Sequence, residues 1–345
     1  MLLAHSAELT AGMVTAVIDE RVSLVIPGRN CQGTIRQCLA AVVPLLEDPT
    51  SGLDEILFVD DGSTDDTAKI VAEFPVKLIP GSGTGSGAAR NLGWRAARNP
   101  LVWFVDSDCV AEPDALRRLR PHMEDPKVGG VSGSYGIMNP ESLLASLIHE
   151  EIIERHRRMS ARVDFLAAFN VLYRRALLEQ VNGFDERYQK AQDAELSFRV
   201  MQAGYDLRFE LSSRVKHYHE SRLRKYLKTQ QWQGYWRAWL HLAYPRHSVG
   251  DSYSRLGDHV QPPLAMLSLA ALPLLLVSYG WLAATTTLGL LLLAQAPLTA
   301  QLVRRLGRPR YLLFAFMGFV RAYWRGVGMT RGLFAYLFRR SRSTS

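Results

Sequence analysis

From Val260 to Val303 the chain runs for 44 consecutive positions without a charged residue, and no other feature limits its fold so strongly. As one helix this run would be roughly 66 Å long, about twice the hydrocarbon thickness of a bilayer. It must therefore fold back, and Ser278-Tyr279-Gly280 is the natural break. The expectation is a transmembrane helical hairpin over 261–303, with one half from about Leu264 and the other from Trp281 to about Ala300. Arg222, Arg224, Lys225 and Lys228 precede it, and Arg304, Arg305, Arg308 and Arg310 follow it. Basic flanks on both sides put both ends in the cytosol by the positive-inside tendency. A buried hairpin in a soluble core is the alternative, but so long an uncharged run is hard to enclose.

The rest of the carboxyl-terminal region, 304–345, holds ten arginines and no acid. Removing these ten from 41 basic residues leaves 31 against 33 acids, so the net charge of +8 belongs to this tail alone. That distribution argues against nucleic acid as a partner and for a membrane surface. Tyr311 to Phe338 starts apolar but carries Arg321, Arg325 and Arg331, and an arginine near the bilayer centre costs at least about 2.5 kcal/mol. An interfacial helix is expected there, not a third span. The three cysteines, Cys31, Cys38 and Cys109, show no CxxC spacing and suggest neither a disulfide framework nor a zinc site. The segment 1–20 lacks the basic-then-apolar pattern of a signal peptide. It reads as a tail before an α/β domain over 21–240, with a linker over 241–260.

Within that domain short β-rich runs alternate with helical stretches, the pattern of an α/β fold with a Rossmann-like, mostly parallel sheet. Val22 to Pro27 reads as the first strand, Glu55 to Asp60 as the second and Leu101 to Asp106 as another. Two of these end in acid, at the sheet edge where ligands bind in open α/β sheets. Asp106-Ser107-Asp108 can offer hard oxygen ligands to Mg2+ or Mn2+. The run Asp60-Asp61-Gly62-Ser63-Thr64-Asp65-Asp66-Thr67 opens a helix, with Thr64 or Asp65 as its cap. Gly81 to Gly87 is a glycine loop leading into a helix that carries Arg90; it fits neither the Walker A nor the dinucleotide spacing.

These residues resemble the family 2 inverting glycosyltransferases, built on the GT-A fold. Val25-Ile26-Pro27-Gly28-Arg29-Asn30 is similar to the family's opening strand and turn, and Val59 to Asp65 to its second strand. Gly87-Ala88-Ala89-Arg90-Asn91 matches its helix start and Asp106-Ser107-Asp108 its metal motif. The resemblance runs from Val22 to about Gly234. It implies a nucleotide site made of Pro27, Arg29, Asp60, Asp61, Arg90, Asp106 and Ser107. Asp61 would lie on the base or ribose, and Arg90 on the nucleotide or its phosphates. It also implies a divalent cation, Mg2+ or Mn2+, at Asp106 and Asp108, with His217 completing the shell and His219 as the competing ligand. Gly28 and Arg29 depart from the small hydroxyl residue and tyrosine that the family often has.

On the acceptor side the resemblance makes Asp193 the catalytic base, although Gln192 stands where the family usually has Glu. Asn170 would lie near the cleft. Gln230-Gln231-Trp232-Gln233-Gly234 lacks the Gln-x-x-Arg-Trp motif of processive synthases, which points to single transfer. The function implied is metal-dependent, inverting transfer of a sugar from a nucleotide-diphosphate sugar to a hydroxyl acceptor, lipid-linked or membrane-proximal. The setting is the cytosolic face of the cell (inner) membrane, with a multi-pass chain. Two other readings stay open at this point. A sugar nucleotidyltransferase would need a longer basic activation loop than Gly28 to Gly33, and an inactive nucleotide-sugar-binding scaffold would tolerate Gln192.

Overall fold

The alternating apolar runs of the amino-terminal two thirds build one nine-stranded sheet. The structure is a computed structural model and describes residues 21–245, 251–254 and 256–343. The tail expected over 1–20 and part of the linker lie outside the described residues. The strands are β1 (Val22–Gly28), β2 (Leu53–Asp60), β3 (Lys77–Pro80), β4 (Leu101–Val105), β5 (Cys109–Ala111), β6 (Val128–Ile137), β7 (Arg162–Val163), β8 (Asn170–Arg174) and β9 (Asp206–His217). Eight of them follow the order β3-β2-β1-β4-β8-β6-β9-β5, with β7 paired to β9.

The sheet is mixed. Parallel pairing joins β3, β2, β1 and β4, but β8 runs antiparallel to both β4 and β6. A mostly parallel sheet therefore describes only one half, because β8 enters between β4 and β6 in the opposite sense. Every residue of β1 and β4 is buried, as a strand covered on both faces requires. Covering them are α1 (Ile35–Val42), α2 (Thr67–Val71), α3 (Ser86–Ala96), α4 (Ala115–Leu119), α5 (Leu143–His156), α6 (Arg175–Gln180) and α7 (Gln192–Gln202). Phe58 and Trp103 lie in the core on one side of the sheet, Phe104, Tyr173 and Phe184 in the core on the other.

Beyond the sheet come α8 (Leu223–Ala243), α9 (Leu256–Ala270), α10 (Gly280–Leu293), α11 (Ala296–Leu306) and α12 (Leu313–Ser343). The chain reverses between Leu276 and Gly280, where Tyr279 adopts φ +61°. Leu256–Leu276 and Gly280–Leu306 are each long and apolar enough to cross a membrane. Most of their surface is uncovered; Leu276 is 90% exposed and Leu293 68%.

α12 packs along α8 at backbone distance. A Cβ on Gly328 would sit 1.9 Å from the Gln231 carbonyl oxygen, and one on Gly332 would sit 2.3 Å from that of Tyr235. Only glycine permits this approach. The contact turns Arg321 and Arg325 toward the catalytic domain, while Phe316, Phe334 and Phe338 face outward. Arg321 is only 3% exposed and pairs with Glu151 of α5 at 2.5 Å. The expectation that these two arginines lie on a lipid surface is therefore corrected. The helix buries arginine and exposes aromatic side chains, because α5 and α8 supply polar partners that the outer face lacks. Arg304, Arg308, Arg310 and Arg331 do remain exposed.

Candidate functional site

The parallel strands of the switch region end at a cavity of about 980 Å³ that extends from β1, β2 and β4 across to α8, α9 and α12. Pro27, Arg29, Asp61, Arg90, Asp106, Ser107, Asp108 and Asp193 all line it. Asp61 follows β2 and is 4% exposed. Its Oδ2 accepts the Gly85 N–H at 2.9 Å, while Oδ1 is buried with no partner. A buried carboxylate oxygen left unpaired is costly, and at a cavity wall it is a ready acceptor for a ligand donor. Arg29 donates to the Gly83 carbonyl at 3.3 Å, which closes the glycine loop over β1.

Asp60 does not belong to this group. It lies outside the cavity lining, and its Oδ1 accepts the Ser63 N–H at 2.9 Å, holding the turn after β2. The contact this carboxylate makes in the structure is thus local, beside the nucleotide-binding residues expected from the sequence. Asp65 has a similar local role, accepting the Thr67 N–H and hydroxyl at the start of α2. Asn170 is also a core residue, fully buried, with bonds to Trp103 and Ser213.

Arg90, placed by α3, donates to Asp106 Oδ1 at 2.5 Å and lies over the Phe184 ring. Burial raises the pKa of Asp106 against the pull of Arg90. Asp108 has a different neighbour: His217 Nε2 lies 3.2 Å from its Oδ2, at the carboxyl end of β9. For Asp108 the burial penalty is outweighed by His217, and its carboxyl is held below the usual range. His219 is turned away, 3.1 Å from His217 and 3.2 Å from His149, and burial drives its pKa down to about 2. Ligand atoms of Asp108, His217 and Cys109 lie within 4.8 Å of one another. Cys109 is fully buried with its thiol pushed well up, so it is a poor ligand. A carboxylate and an imidazole at this spacing suit a divalent cation. The geometry thus joins Asp108 to His217 and gives Asp106 to Arg90.

Across the cavity, α7 begins after Ala191, which adopts φ +62°. An alanine in the left-handed region is strained, a condition that recurs at functional sites. It aims Gln192 and Asp193 back at the glycine loop. Gln192 donates to the Ser86 hydroxyl at 2.6 Å, and Gly87 leaves room for its carbonyl oxygen, which would lie 2.5 Å from a Cβ there. The first and second halves of the site therefore touch through residue 192. Burial raises the pKa of Asp193, with the Ala194 N–H, Arg90 and Arg237 acting against it.

Sequence reasoning missed the far wall. Glu151 and Arg155 of α5, Arg237 of α8, and Arg321 and Arg325 of α12 also line the cavity. Glu151 accepts from Arg155 at 2.6 Å as well as from Arg321, and Arg155 makes two bonds of 2.7 Å to Asp258 of α9. Two signals for it stand in the sequence: the i,i+4 spacing of Glu151 and Arg155, and the small-residue spacing Gly328-x-x-x-Gly332.

Comparison with known proteins agrees with this geometry. Residues 23–181 match the family model "Glycosyl transferase family 2". The probable glycosyltransferase YdaM of Bacillus subtilis is 32% identical over 206 residues, 55% of this chain and 48% of that protein. The pre-mycofactocin glycosyltransferase of Mycobacterium tuberculosis is 28% identical over 228 residues, 62% of this chain and 46% of that protein. The chain thus spans about half the length of these relatives. A mannosyltransferase from Pyrobaculum calidifontis, solved with GDP-Man and Mn2+, superposes with a TM-score of 0.57 at 19% identity, covering 90% of this chain and 87% of that one. Residues 23–181 thus carry a family 2 glycosyltransferase domain, and the architecture around them is that of the GT-A fold.

Proposed function

We propose that this chain transfers a sugar from a nucleotide-diphosphate sugar to a hydroxyl acceptor with inversion at the anomeric carbon. The observation that carries the reading is the single cavity that sets Asp61, Arg90 and Asp108 on one side and Asp193 on the other. The acceptor oxygen bonds to the anomeric carbon as the bond to the diphosphate oxygen breaks. The acceptor proton passes to the Asp193 carboxylate, whose raised pKa suits a general base. Asp61 Oδ1 takes a donor from the nucleoside, and Arg90 holds the Asp106 carboxyl in place beside the diphosphate. Asp108 and His217 are the residues that would hold a divalent cation, which supplies charge neutralisation for the leaving diphosphate.

The exposed apolar helices and the outward aromatic face of α12 support a membrane setting. Orientation with the catalytic domain in the cytosol follows from the exposed arginines after α11. An acceptor that is itself lipid-linked suits a cavity whose lining includes Pro262 of α9. The test is thermal unfolding of the full chain with UDP, GDP and dTDP sugars, with manganese, magnesium or EDTA. One donor class should raise the melting temperature only with the cation, and Asp108→Asn should lose that response. Equal stabilisation in EDTA would remove the cation from the reading.

A further inference from the structure

The cavity continues past the nucleotide side to α8, α9 and α12, and its far end has a charge imbalance. Three of the four arginines there are matched: Arg155 with Glu151 and Asp258, Arg321 with Glu151, and Arg237 with Asp251 at 3.1 Å. Arg325 is different. Its guanidinium donates only to two amide oxygens, Gln230 Oε1 at 2.7 Å and Gln233 Oε1 at 3.2 Å, and it makes no ion pair with a carboxylate among the described residues. Two neutral acceptors orient a guanidinium without cancelling its charge, and most of its five N–H donors are left over. Its electrostatic neighbours are Arg321, Tyr226, Glu151 and Asp258, none of them part of the nucleotide side. Nearby, His241 and His259 stand with ring centroids 5.0 Å apart, each with a buried Nε2 that has no partner. A guanidinium with no carboxylate in contact with it and two unused ring nitrogens, all lining one cavity, describe a receptor for an oxyanion.

Two further facts identify what carries the oxyanion. Pro262 and Met329 line the same end, and Pro262 belongs to the apolar helix Leu256–Leu276. Arg237 of α8 lines the same cavity as Asp193, and its charge acts on that carboxyl. We propose that the end of the cavity walled by α8, α9 and α12 binds the phosphate of an amphiphilic acceptor, with Arg325 as its main contact. The phosphate sits on Arg325 and the apolar chain runs out along α9. The acceptor hydroxyl is thereby presented to Asp193. This rests on the acceptor-side reading above.

The test is thermal unfolding of the full chain in an uncharged detergent, without donor, against dodecyl phosphate, dodecanol and inorganic phosphate. Dodecyl phosphate should raise the melting temperature in a saturable manner, dodecanol should not, and inorganic phosphate should act at least tenfold more weakly. Arg325→Gln should weaken the dodecyl phosphate response about tenfold or more, the loss expected for a charged hydrogen-bond partner. Gln233→Glu, which gives Arg325 a carboxylate in place, should do the same without emptying the site. Both variants should keep the stabilisation by nucleotide and manganese. Wild-type dodecyl phosphate affinity in both variants, or no response in the native chain, overturns the subsite. An equal response to inorganic phosphate overturns the amphiphile. Loss of the nucleotide response alone, with dodecyl phosphate binding intact, would instead sink the donor-site reading.

Discussion

The sheet and the carboxyl-terminal helices are packed by opposite rules. In the sheet, Phe58, Trp103 and Phe104 are buried and the charges sit at the strand ends. Around α12, Arg321 and Arg325 are turned inside while Leu276, Leu293 and Phe338 are outside. The first region gains its stability from removing apolar surface from water. The second gains less in this way: Leu147, Tyr226, Leu302, Tyr311 and Phe314 form a buried cluster, but most of the apolar surface of its hairpin is uncovered. It is joined to the domain by the Glu151, Arg155, Asp258 and Arg321 network and by the close crossing of α8 and α12. One molecule thus combines an apolar core closed against water with a charged core beneath an exposed apolar surface.

The contrast can be broken at several points. Chemistry should belong to the sheet side: Asp193→Asn should lower kcat about 10²- to 10⁴-fold while leaving the melting temperature of the nucleotide-bound protein near that of the native chain. A loss of fold instead of turnover would show that Asp193 is a structural acid. The same carboxylate should set the acidic limb of the kcat profile. With its pKa raised, activity falls as pH drops through a value above the ordinary carboxylate range near 4.

Inside the second region the polar network should behave as a core. Glu151→Gln leaves two buried guanidiniums short of charge and should cost about 3 to 5 kcal/mol in denaturant unfolding. A change below about 1 kcal/mol would mean that α12 is held by its helix crossing alone. Titration should show the same pair. Burial would raise Glu151, but Arg321 and Arg155 outweigh it and bring its pKa down to about 2. A depressed carboxylate gives stability that is complete above its unfolded value, near 4.3, and is lost as pH falls toward 2. The smallest effect should come from the outer surface. Leu276→Ser should change unfolding in detergent by less than about 0.5 kcal/mol, whereas Phe104→Ala should cost about 3 to 5 kcal/mol. A large Leu276 effect would mean that the hairpin surface packs on protein.

What could be read from the sequence follows the same division. β1, β2 and β4 were legible because their apolar runs are continuous, and β2 and β4 run directly into acids. Asp61, Arg90, Asp108 and Asp193 then fell into one cavity because short loops at the strand ends keep them there. Asp60 was less legible because an acid beside a site and an acid holding a turn have the same local pattern; only the Ser63 N–H distinguishes them. Arg321 and Arg325 were misplaced for a deeper reason. Their partners Glu151, Gln230 and Gln233 lie about 90 to 170 positions earlier, and hydropathy along a single helix carries no information about such contacts. The mixed sheet was hidden likewise, since a strand's direction depends on where its neighbours arrive.

The close crossing of α8 and α12 also sets an order of assembly. Arg321, Arg325 and Met329 follow both apolar helices in the chain, so the far wall of the cavity is synthesised after α10 and α11. While the chain is being made, Glu151 and Arg155 face an unfinished side, and nothing covers Gln230 and Gln233 until Gly328 and Gly332 settle against α8. The last helix is therefore a keystone: the far end of the cavity comes into being only when the apolar helices have found their place.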